Sequence, residues 1–226
     1  MKPESRAPRQ LALALPHAES FAREDFLEGT SNADALAMIE AWPDWPGKVL
    51  ALVGPEGAGK SHLAAIWAEN AGARRVSARA LGEVKPLEEL ATGALVIEDA
   101  AAPLDERALF HLLNLTREED ASLLITARSA PAQWDIVLPD LASRLRAIPV
   151  VTLSAPDEAL LRALLVKLFT DRQLSVDEAL ISYLVTRIER SFAAARAVVG
   201  MLDREALRRQ GRVTRALAAE LLQHEA

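Results

Sequence analysis

The sequence predicts an α/β core built on a parallel sheet and followed by a small all-helical domain. Short apolar runs typical of buried parallel strands alternate with helical stretches up to about residue 154. Beyond that residue, only segments with helical period follow. A glycine-rich turn lies directly after the first of the apolar runs. We therefore expect a flexible tail over residues 1–18, the α/β core over 19–154 and a helical lid over 155–226.

The elements of the core follow one another in a regular order. A first helix is predicted at 32–41, with Ser31 or Asn32 as its N-cap. Strands are then predicted wherever a short apolar run occurs, at 49–53, 75–77, 94–97, 122–126 and 149–153. The stretches between them have helical character, at 60–71, 87–90, 106–119 and 139–145. Alternation of this kind is typical of a parallel sheet with crossover helices.

Four further helices are predicted after residue 154, at 156–170, 176–188, 192–209 and 214–223. Two of them are preceded by segments that contain both Ser and Asp, Ser154-Ala-Pro-Asp and Ser175-Val-Asp-Glu. Either residue type can accept a hydrogen bond from the free N–H groups of a helix start. These segments are therefore predicted to begin helices of the lid.

Composition and charge exclude several classes of protein. The 226 residues include no cysteine, so disulfide scaffolds, zinc–cysteine sites and thiol nucleophiles are excluded. A net charge of −6 argues against binding DNA through bulk electrostatics. No apolar run is long enough to cross a bilayer, and the N-terminus lacks the pattern of a signal peptide. We expect a cytoplasmic protein.

The glycine-rich turn carries a complete phosphate-binding motif. Residues 54–61, Gly-Pro-Glu-Gly-Ala-Gly-Lys-Ser, match G-x-x-x-x-G-K-[ST] between a predicted buried strand and a predicted helix. Glycines let backbone N–H groups turn towards phosphate oxygens, and the helix start adds further donors. Lys60 is predicted to reach the β- and γ-phosphates, and Ser61 to ligate Mg²⁺. The predicted contacts of ADP or ATP are Gly54, Pro55, Gly57, Ala58, Gly59, Lys60, Ser61 and His62.

Two acids follow the strand predicted at 94–97. They are Glu98 and Asp99, directly after Leu95-Val-Ile. A P-loop protein needs an acidic residue at the end of a neighbouring strand to hold magnesium, usually through water. We predict that Glu98 holds Mg²⁺ together with Ser61, and that Asp99 orients or activates water.

The order of these motifs resembles an AAA+ nucleotide switch: a P-loop, an acidic strand end, a strand ending in Thr126, an arginine after a short helix, and a helical lid. Gly-Lys-Ser-His-Leu at 59–63, Ser31-Asn32, and Leu-Pro-Asp-Leu-Ala-Ser-Arg-Leu at 138–145 are similar to the replication initiator DnaA. They resemble still more closely its shortened relatives, the regulatory inactivators of DnaA (the Hda family). The resemblance covers about residues 20–226 and implies an AAA+ core with a small helical lid.

Membership of that family would imply two interaction sites. Arg144, in the segment at 138–145, corresponds to an arginine finger that is offered to the nucleotide of a neighbouring subunit. Gln10-Leu-Ala-Leu-Ala-Leu resembles the family's peptide for the DNA polymerase sliding clamp, with contacts from Gln10, Leu11, Leu13 and Leu15. The implied function is negative regulation of replication initiation: the protein, bound to ADP or ATP and tethered to the clamp, stimulates ATP hydrolysis by DnaA. DNA is then contacted only through the clamp, and self-association is a further expectation.

Three positions depart from the family pattern. The segment Thr126-Ala-Arg128 has Arg where the first nucleotide sensor usually has Asp, so Thr126 is the remaining polar candidate. The second-sensor position is occupied by Ala193 or a neighbour, with Arg196 or Arg190 one turn away as substitutes. Glu98 stands where Asp is usual. These changes predict tight nucleotide binding with weak intrinsic hydrolysis.

Several alternatives remain open from sequence alone. Phe21 and Phe26 either line the adenine pocket or anchor the core. The protein as a whole could be a P-loop adaptor or helicase loader of the initiator family, which clamp binding by residues 10–15 would distinguish. A small-molecule kinase is the third reading, and a helical domain appended after the core argues against it.

Overall fold

A computed structural model of the chain describes residues 21–83, 87–100 and 104–223. Within them, the strands are β1 (Val49–Val53), β2 (Arg74–Ser77), β3 (Ala94–Glu98), β4 (Ser122–Ala127) and β5 (Val150–Thr152). All five are parallel and form one sheet in the order β2-β3-β4-β1-β5. The predicted parallel sheet is confirmed, and each predicted strand is present to within one or two residues at its ends.

Helices connect the strands of the core, and in the described residues only helices follow β5. The core contains α1 (Ala33–Glu40), α2 (Lys60–Ala71), α3 (Leu87–Leu90), α4 (Glu106–Glu118) and α5 (Pro139–Arg146). The lid contains α6 (Glu158–Asp171), α7 (Glu178–Val185), α8 (Phe192–Arg209) and α9 (Arg215–Gln223). Among the described residues, none of these helices has the length and apolar character to span a membrane.

The inner strands of the sheet are buried on both faces, which explains their uninterrupted apolar runs. Along β1, Leu50 and Leu52 pack into one core cluster with α1 and α2. Ala51 and Val53, which point the other way, pack into a second cluster with α4 and α5. Successive side chains of a strand alternate between faces, so the inner strands β1, β3 and β4 are buried along nearly their whole length. The edge strand β2, Arg-Arg-Val-Ser, is largely exposed instead.

The lid has its own core, made by α6, α7, α8 and α9 around residues such as Leu165, Leu184 and Val199. Of the Ser and Asp residues predicted at the lid's helix starts, the aspartates form the caps. Asp157 accepts from the N–H of Leu160 at 2.8 Å, and Asp177 does so from Leu180 at 2.8 Å. Carboxylate caps complement the positive end of the helix dipole as well as its free donors.

Asn32 occupies the N-cap position of α1, but its side chain serves the preceding loop instead of the helix. Its Oδ1 accepts from the N–H of Gly29 at 2.8 Å, and its Nδ2 donates to the carbonyl of Leu27 at 2.9 Å. Asn32 is only 2% exposed, so both of these hydrogen bonds are made by a buried side chain. It fixes the segment of the core against which α6 packs, since Gly29 lies against Leu160.

Polar contacts join the lid to the same segment. The hydroxyl of Thr30 donates to the Asp157 carboxylate at 2.5 Å. Nζ of Lys167, on α6, lies 2.7 Å from the carboxylate of Asp25. These contacts, together with the apolar packing of Leu160, place the lid beside the carboxyl ends of the strands, where the P-loop lies.

Candidate nucleotide-binding site

The P-loop runs from the end of β1 to the start of α2, and its backbone needs glycine. Gly57 and Gly59 have φ angles of 72° and 98°, in the left-handed region that side chains disfavour. A side chain at Gly54 would overlap the carbonyl oxygen of Leu153. The N–H of Gly54 donates to the carbonyl of Ala127 at 3.2 Å, which ties the loop to the end of β4. The result is a curved backbone directly before the N-terminus of a twelve-residue helix.

Lys60, the first residue of α2, is folded back into this loop. Its side chain is 8% exposed, and Nζ donates to the carbonyls of Gly54 at 2.9 Å and Pro55 at 2.8 Å. Burial lowers the pKa of Lys60, whereas the charge of Asp99 acts in the opposite direction. The ammonium is therefore held inside the loop by oxygen dipoles, and the carboxylates of Asp99 and Glu56 are close enough to influence its pKa.

The ends of β3 and β4 meet beside this lysine. The hydroxyl of Thr126, a buried residue at the end of β4, accepts from the N–H of Asp99 at 3.1 Å. The N–H of Ala100 donates to the carbonyl of Thr126 at 2.8 Å. Asp99 has a left-handed φ of 54°, an unusual conformation that this double attachment maintains. Two predicted site residues, Asp99 and Thr126, are thus in direct contact.

Glu98 has a different environment. Its carboxylate accepts from Arg75 of the neighbouring strand β2, with Nη2 at 2.5 Å and Nε at 3.1 Å. Glu98 is absent from the charges that shift the pKa of Lys60, whereas Asp99 is the foremost of the charges that do. The metal role predicted for Glu98 stays a prediction, and it requires the carboxylate to leave Arg75.

The residues around the P-loop fit a nucleotide with Mg²⁺ in their donor chemistry. The hydroxyl of Ser61 and the carboxylates of Glu98 and Asp99 are oxygen ligands of the kind that this ion prefers. In the described part of the chain, no cluster of three or more acidic or histidine side chains forms a dedicated metal cage. A P-loop magnesium needs no such cage, because phosphate and water oxygens supply its other ligands.

His62 lies one step further along α2 and is enclosed by aromatic rings. Phe21 and Phe26 both pack edge-on against it, with ring centroids at 5.4 and 5.2 Å. Its Nε2 lies 3.0 Å from the carbonyl of Ala22. Burial is the main cause that lowers the pKa of His62, which favours the neutral form of the ring. Phe26 is itself buried in the core, which favours the interpretation that it anchors the core over the one that it lines an adenine pocket.

A cavity of about 1220 Å³ opens from His62 towards the lid. Arg196 of α8 lines it, together with Ala193 and with Asp25 and Lys167, which form the lid–core ion pair. The charge of Arg196 contributes to the lowered pKa of His62. The fold therefore brings together His62 and Arg196, which were predicted as site residues from separate parts of the sequence.

The start of α8 sits directly on the P-loop. The N–H of Phe192 donates to the carbonyl of Gly57 at 2.8 Å. A Cβ at Gly57 would lie 3.0 Å from Cβ of Ser191 and 3.1 Å from Cβ of Ala193. The second-sensor position expected at Ala193 is thus beside the P-loop. Sequence reasoning missed this contact, because no motif shows that the loop glycine also makes room for the lid.

A second feature that the sequence did not predict is an ion pair between Arg128 and Glu56. Arg128 follows the last residue of β4, and Glu56 is a variable position of the P-loop. Both side chains are largely exposed, at 71% and 76%. The charge of Arg128 also lowers the pKa of Lys60, which places it near the buried ammonium.

Arg144, the predicted arginine finger, lies on α5. Its guanidinium is half-buried and stacks over the ring of Phe110 on α4, 5.0 Å from the ring centroid. In the described residues it forms no ion pair with Asp140, the neighbour on its own helix. It is also not among the charges that shift the pKa of Lys60. The predicted clamp contacts Gln10, Leu11, Leu13 and Leu15 lie outside the described residues.

Comparisons with known proteins find similarity in solved structures alone. No family model matches the sequence, and no curated protein does so either. Domain III of the Thermotoga maritima replication initiation protein DnaA superposes with a TM-score of 0.79 at 19% identity, over 90% of this chain and 96% of that one. AMPPCP-bound DnaA from Aquifex aeolicus gives 0.69 at 16% identity, over 81% and 65% of the two chains.

The same fold occurs in a DNA motor. The Holliday junction branch migration motor RuvB of Thermotoga maritima superposes with a TM-score of 0.71 at 16% identity, over 90% of this chain and 72% of that one. At identities this low, the structural similarity establishes the fold alone. The chain has the AAA+ fold, a parallel sheet with a P-loop and a helical lid, as in domain III of DnaA and in RuvB.

Proposed function

We propose that this protein is a nucleotide-bound AAA+ regulator that stimulates ATP hydrolysis by the initiator DnaA and so restrains replication initiation. The proposal has two parts, a nucleotide site in this chain and an arginine that serves the site of a partner. The observation that carries the second part is the position of Arg144 on α5, where its guanidinium stacks on Phe110 of α4.

The nucleotide site is built from the P-loop, with ADP or ATP and Mg²⁺ as its ligands. Gly57 and Gly59 keep the backbone donors of the loop open, and the start of α2 adds its own free N–H groups. Lys60 neutralises phosphate charge, and Ser61 with Glu98 or Asp99 holds the metal. When bound, the metal ion would withdraw charge from the phosphate oxygens. Arg196 and Thr126 contact the nucleotide from the lid and from β4.

The related folds support this assignment. One DnaA structure of the same fold contains AMPPCP, and another contains AMPPCP with single-stranded DNA. Intrinsic hydrolysis is weak in the proposal, because Glu98 is engaged by Arg75 and the first-sensor segment carries Arg128 in place of an acid. Asp99, fixed by the hydroxyl of Thr126, is the residue left to orient water.

Arg144 acts on a partner's nucleotide in this proposal. Stacking on Phe110 restricts a long side chain and leaves its planar N–H fork available for hydrogen bonds. An arginine supplied to another subunit stabilises charge that develops on the transferring phosphate, and such a finger contributes on the order of 10³ or more to the rate. The partner is DnaA in its ATP form.

The remaining parts of the proposal concern location and assembly. Gln10, Leu11, Leu13 and Leu15 bind the sliding clamp as an extended peptide, so DNA is reached through the clamp. The net charge of −6 agrees with indirect contact. The site of action is the cytoplasm, and copies of the chain can associate through the same arginine-to-nucleotide contact.

Single-turnover ATP hydrolysis by DnaA, with clamp loaded on DNA, tests the mechanism. Arg144→Ala should abolish the stimulation while nucleotide affinity and clamp binding stay unchanged, because the finger acts in the transition state of another subunit. Arg144→Lys should restore little of it, since a point charge lacks the forked geometry. Arg146→Ala is the matched control, an exposed arginine on the same helix. Full stimulation by Arg144→Ala would remove this residue from the mechanism.

The clamp contact separates this function from that of a helicase loader. Replacing Gln10, Leu11 and Leu13 with Ala should eliminate clamp binding in a pull-down and leave the melting temperature unchanged. A wild-type protein that binds a replicative helicase and ignores both clamp and DnaA would favour the loader.

A further inference from the structure

The ion pair between Arg128 and Glu56 joins the P-loop, which follows β1, to the residue that follows β4. Glu56 belongs to the P-loop itself, two residues after its first glycine. Arg128 follows Ala127, whose carbonyl accepts from the N–H of Gly54. The pair therefore bridges the mouth of the loop and lies beside Lys60, whose pKa both charges influence.

We propose that Arg128 is a second phosphate-binding cation of the nucleotide site and that Glu56 is its internal counterion, which phosphate displaces. The inference rests on the nucleotide binding proposed above and adds a residue and an exchange step to it. In the structure, Arg128 binds the carboxylate of Glu56 at the loop. A phosphate group of the bound nucleotide would replace that carboxylate on the guanidinium.

Charge balance supports the exchange. Among the described residues, the charges that act on the pKa of Lys60 are those of Arg128, Glu56 and Asp99, so two cations and two carboxylates meet at the loop. A bound nucleotide adds several negative charges within a few ångströms of Glu56, and like charges at that distance repel. Release of Glu56 removes this repulsion and frees the guanidinium, whose planar fork matches phosphate oxygens better than an ammonium does.

Exposure of both side chains makes the exchange inexpensive. At 71% and 76% exposure the pair is screened by water, and exposed ion pairs contribute little to stability. The two side chains can therefore separate without disturbing the core. By contrast, Lys60 is buried and has its hydrogen bonds to the loop carbonyls, so it cannot move in the same way.

A double-mutant cycle on nucleotide affinity tests the proposal. ATP and ADP are titrated by calorimetry, with Mg²⁺, into wild type, Glu56→Gln, Arg128→Gln and the double variant. Arg128→Gln should weaken binding about tenfold, the scale of one charge-assisted hydrogen bond. Glu56→Gln should strengthen binding severalfold. A loss confined to ATP places the guanidinium on the γ-phosphate, and an equal loss for ADP places it on the β-phosphate; both support the proposal.

The coupling between the two changes identifies the exchange. If Glu56 occupies Arg128 before binding, Glu56→Gln must strengthen binding more in the presence of Arg128 than in the Arg128→Gln background, by up to about fivefold for an exposed pair. Equal gains in both backgrounds would refute the exchange. Unchanged ATP and ADP affinities in Arg128→Gln would refute the phosphate role.

Two further measurements keep the result unambiguous. Arg162→Gln is the matched control, because Arg162 also pairs with glutamates but does so within the lid. It should leave both affinities unchanged, and an equal loss there would refute a specific role for Arg128. A wild-type protein that binds neither nucleotide would overturn the proposed function itself, a result distinct from wild-type binding that is indifferent to Arg128.

Discussion

Gly57→Ala tests whether the lid is seated on the P-loop in solution. The glycine has a φ of 72°, and an added Cβ would lie 3.0 Å from Ser191 and 3.1 Å from Ala193. Both neighbours are Cβ atoms at the start of α8, which cannot turn away without movement of the helix backbone. The methyl group therefore either compresses this contact or lifts the lid from the loop.

The expected cost has two parts. The left-handed conformation costs alanine about 1 kcal/mol relative to glycine, after allowance for the stiffer unfolded chain. The contact with α8 costs about 1 kcal/mol more, because lifting the lid loses the hydrogen bond from Phe192 to the carbonyl of Gly57. Keeping the contact instead would cost about 1–3 kcal/mol through overpacking. Gly57→Ala should therefore lower the free energy of unfolding by about 2 kcal/mol.

Gly93→Ala separates the two parts. Gly93 has a φ of 76°, close to that of Gly57, but an added Cβ would meet nothing within 4 Å. This control should cost only the conformational part, about 1 kcal/mol. Urea denaturation followed by tryptophan fluorescence suits the comparison, because Trp45 and Trp67 stack in the core. Equal free energies of unfolding for the two variants would contradict the placement of α8 on the P-loop.

Three further predictions concern the site. Lys60→Ala should weaken ADP and ATP binding tenfold to a hundredfold in calorimetry, the scale of one or two charge-assisted hydrogen bonds; unchanged affinities would contradict the assignment of the loop. His62 has a lowered pKa in the folded state, so the stability that it contributes is present above its unfolded pKa of about 6.5 and is lost as pH falls through the folded value. The melting temperature should therefore fall more steeply between pH 7.5 and pH 5 for wild type than for His62→Gln. Parallel curves of melting temperature against pH would contradict this prediction. Phe110→Leu should reduce the stimulation of ATP hydrolysis by DnaA about two- to fivefold without changing nucleotide affinity, because it removes one exposed cation–π contact to Arg144. Unchanged stimulation would show that the stacking does not position the arginine.

Much of the fold could be predicted from the sequence because its signals are local. The run Val49–Val53 is apolar at every position, since β1 is covered on both faces, and its limits are confirmed. Helix α2 begins at Lys60 and ends before Gly72, as the motif and the C-cap glycine predict. The P-loop turn follows from the glycines that it requires. Each of these features depends on the conformations open to a few neighbouring residues.

The partners of the charged residues could not be predicted in this way. Glu98 and Asp99 are adjacent in sequence, yet one pairs with Arg75 and the other contacts Thr126 and influences Lys60. Strand alternation sends neighbouring side chains to opposite sides, and the left-handed turn at Asp99 redirects the second one. The sequence ranked Glu98 first for the metal because it stands at the usual position, without information on the arginine one strand away.

Residues that are distant in sequence meet at this site, and the tertiary structure alone decided those meetings. Arg128 reaches Glu56 because β4 is the neighbour of β1 in the sheet order, although 72 residues separate the pair. The lid reaches Gly57 because Asn32 and Leu160 fix the segment on which α6 packs. The sequence by itself determined the strands, the P-loop and the helical lid, because backbone conformation and burial patterns act over a few residues. Which side chains share the phosphate site depends on sheet order and on the seating of the lid, and these result from packing summed over the whole chain.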